Sequence, residues 1–451
     1  MFSKLLLSFF FVSSLWASTP DVINTLVRNK NYYSAIPLLK EYIVSHQGQI
    51  NDSVDSNLET VIRIVGIKPF ETLPENLLSK TRSDALKYVI AKKLFKKGKL
   101  QDAFNNAKSV SVDSSLYPFA AHIKATSLSI MEKYDEAITE YKECRDSSES
   151  EANKEKRSHR LRQLLMNKDY CIAGIARASF AAKKYLDSDL QYLDIPKSSF
   201  VWPEILFEEA WNSYYLKNYN RTLGKLVSYK APVFDFIFNP EIEVLKAQSY
   251  MKMCLYDDVK KTVDEFYAQL MNPAKELRSK VISSGKSYEI YLKLIEDYEH
   301  QGFHSNPLLS VILRTIKKDP NYIELREDLN SAMSELQNAR NEQNSSLRTL
   351  KIKNVKEVVS TYLNLIGGLV RGKLVSKYAE VYRAFQTMSY LKLEVLSLRK
   401  QKLYSTDKVE TKKRGDVEYI EKNDKQYFWT FNTEFWADEL GDYVFALRSE
   451  C

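Results

Sequence analysis

The 451-residue sequence predicts a mainly α chain: a solenoid of helical hairpins, then a long helical hairpin, then a small C-terminal β element. Three observations predict it. Glycine and proline number only twelve each, few for this length. Small residues recur at fixed offsets through the first two thirds. After residue 408 the pattern changes to short aromatic and β-branched runs. A hydrophobic content of 44% with 27% charged residues is that of a folded, soluble chain. The 66 basic residues are nearly offset by 58 acidic ones, and the two signs are interspersed. That excludes a dedicated nucleic-acid surface, which needs clustered Lys and Arg.

The N-terminus reads as a targeting segment. Lys4 precedes the apolar run LLLSFFFVSSLW, and Ala17-Ser18-Thr19-Pro20 follows. This is a secretory signal spanning 1–17, with cleavage expected after Ala17. The run is too short for a permanent anchor, and no later stretch is long and apolar enough to span a bilayer. No cysteine sits at the cleavage site to carry a lipid. The expected location is the periplasm, a position at the outer membrane being compatible with it; a retained anchor is the alternative.

Residues 18–273 form the predicted solenoid. Its clearest part is Leu206–Phe266, two adjoining helix–break–helix units. In the second helix of each unit a small residue recurs: Ala35, Ala103, Ala137, Ser188, Thr222 and Val259. Ala103 to Ala137 and Ser188 to Thr222 each span 34 residues, the tetratricopeptide (TPR) period. Twelve residues before five of these lies a second small position, at Ala91, Ala125, Ala176, Ala210 and Ala247. Two helices in close approach tolerate only small side chains there. An aromatic residue (Tyr134, Tyr185, Tyr219, Tyr256) opens the second helix and covers the hairpin's apolar seam. Between Ala137 and Ser188 the spacing exceeds one period by 17 residues, the polar run Asp146–Arg162, which reads as an exposed insertion or an extended helix pair. Val61–Pro74 fits no repeat and reads as a degenerate unit.

From 274 to 407 long helices are expected. Gly302 and Asn306-Pro307 break the pattern. Asp319-Pro320 then opens a helix whose Leu325, Leu329, Ala332, Leu336 and Ala339 alternate at four and three, a coiled-coil-like seam. A second long segment, Val355–Lys400, is expected to be interrupted at Ile366-Gly367-Gly368 and Gly372 and to fold back on the first. Gly368 and Gly372 predict close packing against a neighbouring helix. Residues 408–451 comprise a basic linker, Lys408–Gly415, and three candidate strands, Val417–Ile420, Tyr427–Phe431 and Tyr443–Leu447. Phe435–Leu440 reads as a helical turn ended by Gly441. So small a sheet must dock on the helices or on a partner.

No catalytic, cofactor-binding or metal-ligating constellation emerges. His300 and His304 have helical ligand spacing, but Gly302 lies between them and no third ligand accompanies them. No phosphate-binding glycine loop and no G-x-S-x-G occurs. Glu208 and Glu209 could face a groove and meet a basic partner; an exposed helix face is the plainer reading. Trp202, Trp211, Trp429 and Trp436 could anchor an interface, though core packing accounts for each. The four cysteines, Cys144, Cys171, Cys254 and Cys451, permit two disulfides in an oxidising compartment, with three pairings. Cys144 and Cys171 fall in neighbouring repeats, which leaves Cys254 with Cys451; four buried free thiols remain the alternative. A Cys254–Cys451 bridge would fasten the C-terminal element to the last repeat.

The stretches AWNSYYLKNYNRTLGKL, FNPEIEVLKAQSYMKMCLYDDV, LIGGLVRGKL and WTFNTEFWADELGDYVFALRSEC together resemble the periplasmic TPR proteins of the adventurous gliding-motility apparatus of myxobacteria and Bdellovibrio-like bacteria. The resemblance covers Trp202 to Cys451 and rests on Pro240-Glu241, Cys254, Asp438–Gly441 and Cys451. It implies a non-enzymatic scaffold that binds envelope proteins through the concave repeat surface and links outer- and inner-membrane parts of a machine. It brings no cofactor and no catalytic residue. A TPR adaptor in outer-membrane biogenesis or cell division is the alternative. A peptidoglycan-cleaving enzyme is a remote one, since the C-terminal residues are too few for a lysozyme-like domain.

Overall fold

The computed structural model describes residues 19–404, 431 and 434–451. The expected signal segment, the linker at Lys408–Gly415, the candidate strand Val417–Ile420, most of Tyr427–Phe431 and Trp429 lie outside the described residues. The first hairpin pairs α1 (Thr19–Arg28) with α2 (Tyr32–Ser45). The stretch that fits no repeat, Val61–Pro74, takes in the end of α3 (Asp52–Val65) and a 3-10 turn at Lys68–Thr72, and the short α4 (Glu75–Leu78) follows it. Hairpins then follow in order: α5 (Asp84–Lys96) with α6 (Leu100–Lys108), α7 (Tyr117–Ile130) with α8 (Tyr134–Lys154), and α9 (Ser158–Ala181) with α10 (Tyr185–Leu193). Next come α11 (Trp202–Tyr215) with α12 (Tyr219–Val227), and α13 (Glu241–Lys252) with α14 (Tyr256–Ser284). The chain continues through α15 (Tyr288–Gln301), α16 (Pro307–Lys318), α17 (Pro320–Ala339) and α18 (Ser345–Tyr404). This is a mainly α, TPR-like architecture with tightly packed neighbouring helices.

One turn closes six hairpins. Two residues before each second helix, the chain takes a left-handed conformation, at Lys30, Gly98, Glu132, Lys183, Lys217 and Cys254. The following N–H then donates to the carbonyl five residues back, as in Asn31 to Leu26 and Asn218 to Ser213. That satisfies a carbonyl the first helix would otherwise orphan. Only one of the six is glycine, so the others accept a backbone cost of about 1 kcal/mol each. The small positions have no exposed surface in either helix: Ala91, Ala125, Ala176, Ala210 and Ala247 in the first, Ala35, Ala103, Ala137, Ser188, Thr222 and Val259 in the second. The surplus Asp146–Arg162 lengthens α8 and α9, and it is not wholly exposed, because Ser148, Ala152 and Arg160 are buried.

Pro273, the expected end of the solenoid, lies inside α14, which runs on to Ser284. One expectation for the second half is corrected. The glycines at 367, 368 and 372 do not interrupt α18, which is one helix of 60 residues, about 90 Å long. The close contact is at Gly367, where an added Cβ would overlap the Tyr288 carbonyl; Gly372 has nothing within 4 Å. Of the candidate β element only 431 and 434–451 are described; no strand is assigned there, and Phe445 and Leu447 of Tyr443–Leu447 lie against helices. Two-residue alternation marks a segment with one buried side, and a row of helices can cover that side as well as a sheet can.

The α17 seam is buried at Leu325, Leu329, Ala332 and Ala339, but α17 and α18 are not a free-standing hairpin. One hydrophobic core takes in residues from Ile23 to Ile123 and from Ala274 to Val381. Near its start α18 touches the first repeats: Asn354 donates to the Ser34 carbonyl at 2.8 Å and the Tyr362 hydroxyl to the Val65 carbonyl at 3.3 Å. Near its end Met388, Leu391 and Val395 pack with Val259, Val263 and Phe266 of the last hairpin. The long helix therefore ties the first hairpin to the last.

Candidate interaction surfaces

Two surfaces stand out. On α10, Leu186, Leu190 and Leu193 fall at i, i+4 and i+7, on one helical face, and are 70%, 62% and 70% exposed. Phe200, just beyond, is 62% exposed. Asp187 and Asp194 are exposed beside them, so the apolar stripe has an acidic margin. Scattered exposed leucines are ordinary, but a contiguous stripe on one face is a partner-binding feature.

The second surface runs over α11, α12 and the turn before α14, and the tail fills it. Leu440 is buried with Trp202, Leu206 and Phe234. The Gly441 N–H donates to Ser228 Oγ at 2.8 Å. A Cβ at Gly441, whose φ is +88°, would crowd Leu206 and Trp202. Lys197 reaches the Asp438 carbonyl and the Asp442 carboxylate. Asn220 holds Leu447 in both directions: its amide nitrogen donates to the carbonyl at 3.0 Å and its amide oxygen accepts the N–H at 3.1 Å. The Phe445 N–H donates to the Asn220 carbonyl at 3.1 Å, and Phe445 borders a cleft of about 450 Å³. Gly224, inside α12, has no room for a side chain, because the Tyr443 carbonyl occupies that place. The Glu450 N–H donates to the Met253 carbonyl, and a disulfide joins Cys451 to Cys254 with Cα atoms 5.2 Å apart.

The other disulfide joins Cys144 to Cys171, both fully buried, with Cα atoms 6.0 Å apart between α8 and α9. His122 lies against it, so three ligand-type atoms come within 4.8 Å of one another. The two sulfurs are bonded to each other and offer no thiolate. His122 is held by Asn167, its Nδ1 lying 2.9 Å from Oδ1, and burial pushes it down to about 4, so the ring is neutral at pH 7. Glu208 and Glu209 do not wait for a partner. Glu208 receives Arg177 and the Tyr192 hydroxyl, and Glu209 is buried in an ion pair with Lys225 at 2.5 Å. His300 lies on α15, while His304 follows the left-handed Gly302 and contacts Lys280 and the Asn306 N–H. Trp202 is core, Trp211 is half-buried among Phe207, Tyr214 and Tyr215, and Trp436 is exposed.

The titratable groups serve packing. Burial, then the charge of Glu324, pushes Asp328 up to about 8, but it is enclosed with Tyr33, whose hydroxyl lies 3.3 Å away. Ser45 Oγ lies 3.0 Å from His46 Nδ1, yet the ring is oriented by the Tyr42 carbonyl and not by a carboxylate. Among the described residues no helix is long and apolar enough to cross a membrane.

The docking of the tail on the last repeat was legible in Cys254 and Cys451, but the groove over α11 and α12 was missed; its signal was Gly224, a glycine inside a helix, which marks close approach of another segment.

Fold and surfaces together define a helical-repeat protein with an open apolar stripe and a groove filled by its own chain. No family model matches the sequence, and no curated protein matches it. Among solved structures it is similar to the apo form of RapI, at a TM-score of 0.36 and 10% identity over 75% of this chain and 96% of that one. It is also similar to a Rap protein complexed with competence and sporulation factor, at a TM-score of 0.29 and 11% identity over 76% and 98% of the two chains. Likenesses at this level carry nothing about function.

Proposed function

We propose that this chain is an exported, non-enzymatic scaffold that gathers protein partners in a cell-envelope machine of the gliding-motility kind. The observation that carries the partner-binding reading is the α10 stripe: three leucines on one face, each more than three-fifths exposed, with acidic residues beside them. An amphipathic segment with apolar anchors and a basic margin fits it. Location rests on the pattern of residues 1–17, and two disulfides suit an oxidising compartment. The motility assignment rests on the resemblance over Trp202–Cys451.

The test is affinity purification from crosslinked envelopes, with wild type beside Leu186→Asp/Leu190→Asp/Leu193→Asp. Wild type is expected to recover motility components, and the triple variant to lose them while keeping its helical circular dichroism. Recovery of barrel-assembly or division proteins instead moves the chain to the alternative process. Equal recovery by both forms removes the stripe from the account.

A further inference from the structure

We propose that the surface beneath Asp438–Leu447 is a binding site for an extended peptide, and that the chain's own tail is its resident occupant. This extends the scaffold reading, on which it rests, by naming a ligand class for a second surface. A segment that merely completes a core is held by apolar contact. This one is read along its backbone. Asn220 makes both hydrogen bonds of Leu447, the Asn220 carbonyl takes the Phe445 N–H, and Ser228 takes the Gly441 N–H. Those contacts accept any side chain with the right backbone, and the pockets then select. Leu440 enters the pocket of Trp202, Leu206 and Phe234. Phe445 and Leu447 pack toward the cluster containing Leu223 and Tyr250. Lys197 takes the acidic residue after the glycine. The ligand class follows: an extended segment with a Leu-Gly step, an acidic flank and apolar residues alternating beyond it. Paired backbone bonds with alternate side-chain pockets are how extended peptides are recognised on protein surfaces.

The occupant is fastened at both ends, by the chain that precedes it and by Cys254–Cys451. A covalently attached ligand acts at an effective concentration on the order of millimolar, so a free peptide of micromolar affinity cannot displace it. A dithiol reductant opens one fastening: it passes two electrons and two protons to the disulfide, leaving two thiols, and becomes a disulfide itself. Cys451 is exposed and within reach of such a reagent.

The experiment titrates a fluorescein-labelled synthetic peptide covering 438–450 against the full-length chain. One sample is oxidised wild type. The second is Leu440→Asp/Phe445→Asp/Cys451→Ser, whose own tail is displaced. The third and fourth add Asn220→Ala or Gly224→Val to that variant. The expected result is binding to the displaced variant at least about tenfold tighter than to oxidised wild type, returning to background with either added substitution. Three results overturn the proposal. The displaced variant stays helical yet does not bind; it binds equally well with Asn220→Ala and Gly224→Val; or it unfolds, which makes the tail a structural element. Because no partner protein enters the assay, its failure leaves the α10 purification result standing.

Discussion

The two ends of α18 differ in what is buried with them. At the first hairpin buried hydrogen bonds join the apolar core. Glu335 of α17 accepts the N–H groups of Tyr33 and Ser34 and the Ser34 hydroxyl, at 3.1, 2.7 and 2.5 Å. It thus caps α2, whose own N-cap residue, Asn31, makes no side-chain cap bond. Asn354 of α18 takes the Ser34 carbonyl, and Asp328, Tyr33 and Tyr362 lie beside it. At the last hairpin the buried contacts are apolar, Met388, Leu391 and Val395 against Val259, Val263 and Phe266, and polar contacts flank them nearer the surface: the Tyr267 hydroxyl donates to the Phe385 carbonyl, and Lys392 and Arg399 pair with Asp264 and Asp257. Buried hydrogen bonds demand one geometry and are costly when a partner is lost, whereas apolar packing is forgiving in direction and responds to volume. The polar end therefore sets the register of α18 and the apolar end adds stability.

The largest effect that tests this contrast is Glu335→Ala. Three buried donors lose their acceptor, and the expected cost is about 4 kcal/mol, read as a fall in the denaturation midpoint. Hydrogen exchange should rise first in α2. Exchange rising equally in α14 would mean that the two ends are one unit. Next comes Met388→Ala, fully buried, at about 3 kcal/mol. Its effect should be independent of pH. A pH-dependent loss at neutral pH and above would contradict the apolar account of that buried seam.

The smallest effect is pH dependence at the polar end. Burial pushes Asp328 up from the ordinary carboxyl value to about 8, so the folded protein holds a proton that the unfolded chain has released. Its contribution is complete below an ordinary carboxyl pKa and is lost as pH rises through about 8. Between about pH 7.5 and 8.5, above the titration of an unfolded histidine, stability should fall by on the order of 0.7 kcal/mol. Asp328→Asn should flatten that slope, and an unchanged slope in the variant would assign the proton elsewhere.

How far all this was legible follows from the same contrast. The hairpins were readable because a 34-residue period and small residues at fixed offsets are local facts of the chain. The continuity of α18 was not. Gly367, Gly368 and Gly372 lower helix propensity by about 1 kcal/mol each, which suggested a break, but burial along both ends of the helix outweighs that. The candidate strand at Tyr443–Leu447 lies on helices, and the runs expected to pair with it fall outside the described residues. Glu208 and Glu209 read as an exposed helix face that could also meet a basic partner, because the groups that pair with them, Arg177 and Lys225, come from other helices. Glu335 gave no sign at all, for its acceptor role depends on α2, about three hundred residues earlier.

The tie made by α18 also changes how this molecule comes apart. A free solenoid is a one-dimensional stack in which each unit touches only its neighbours, so it frays from its termini. Here the first and last hairpins share one rigid element, which converts the open stack into a closed circuit. Losing a terminal unit then exposes both that unit's neighbour and the face of α18 it covered. Fraying becomes as costly as interior opening, and melting should be cooperative over the whole ring rather than stepwise from either end.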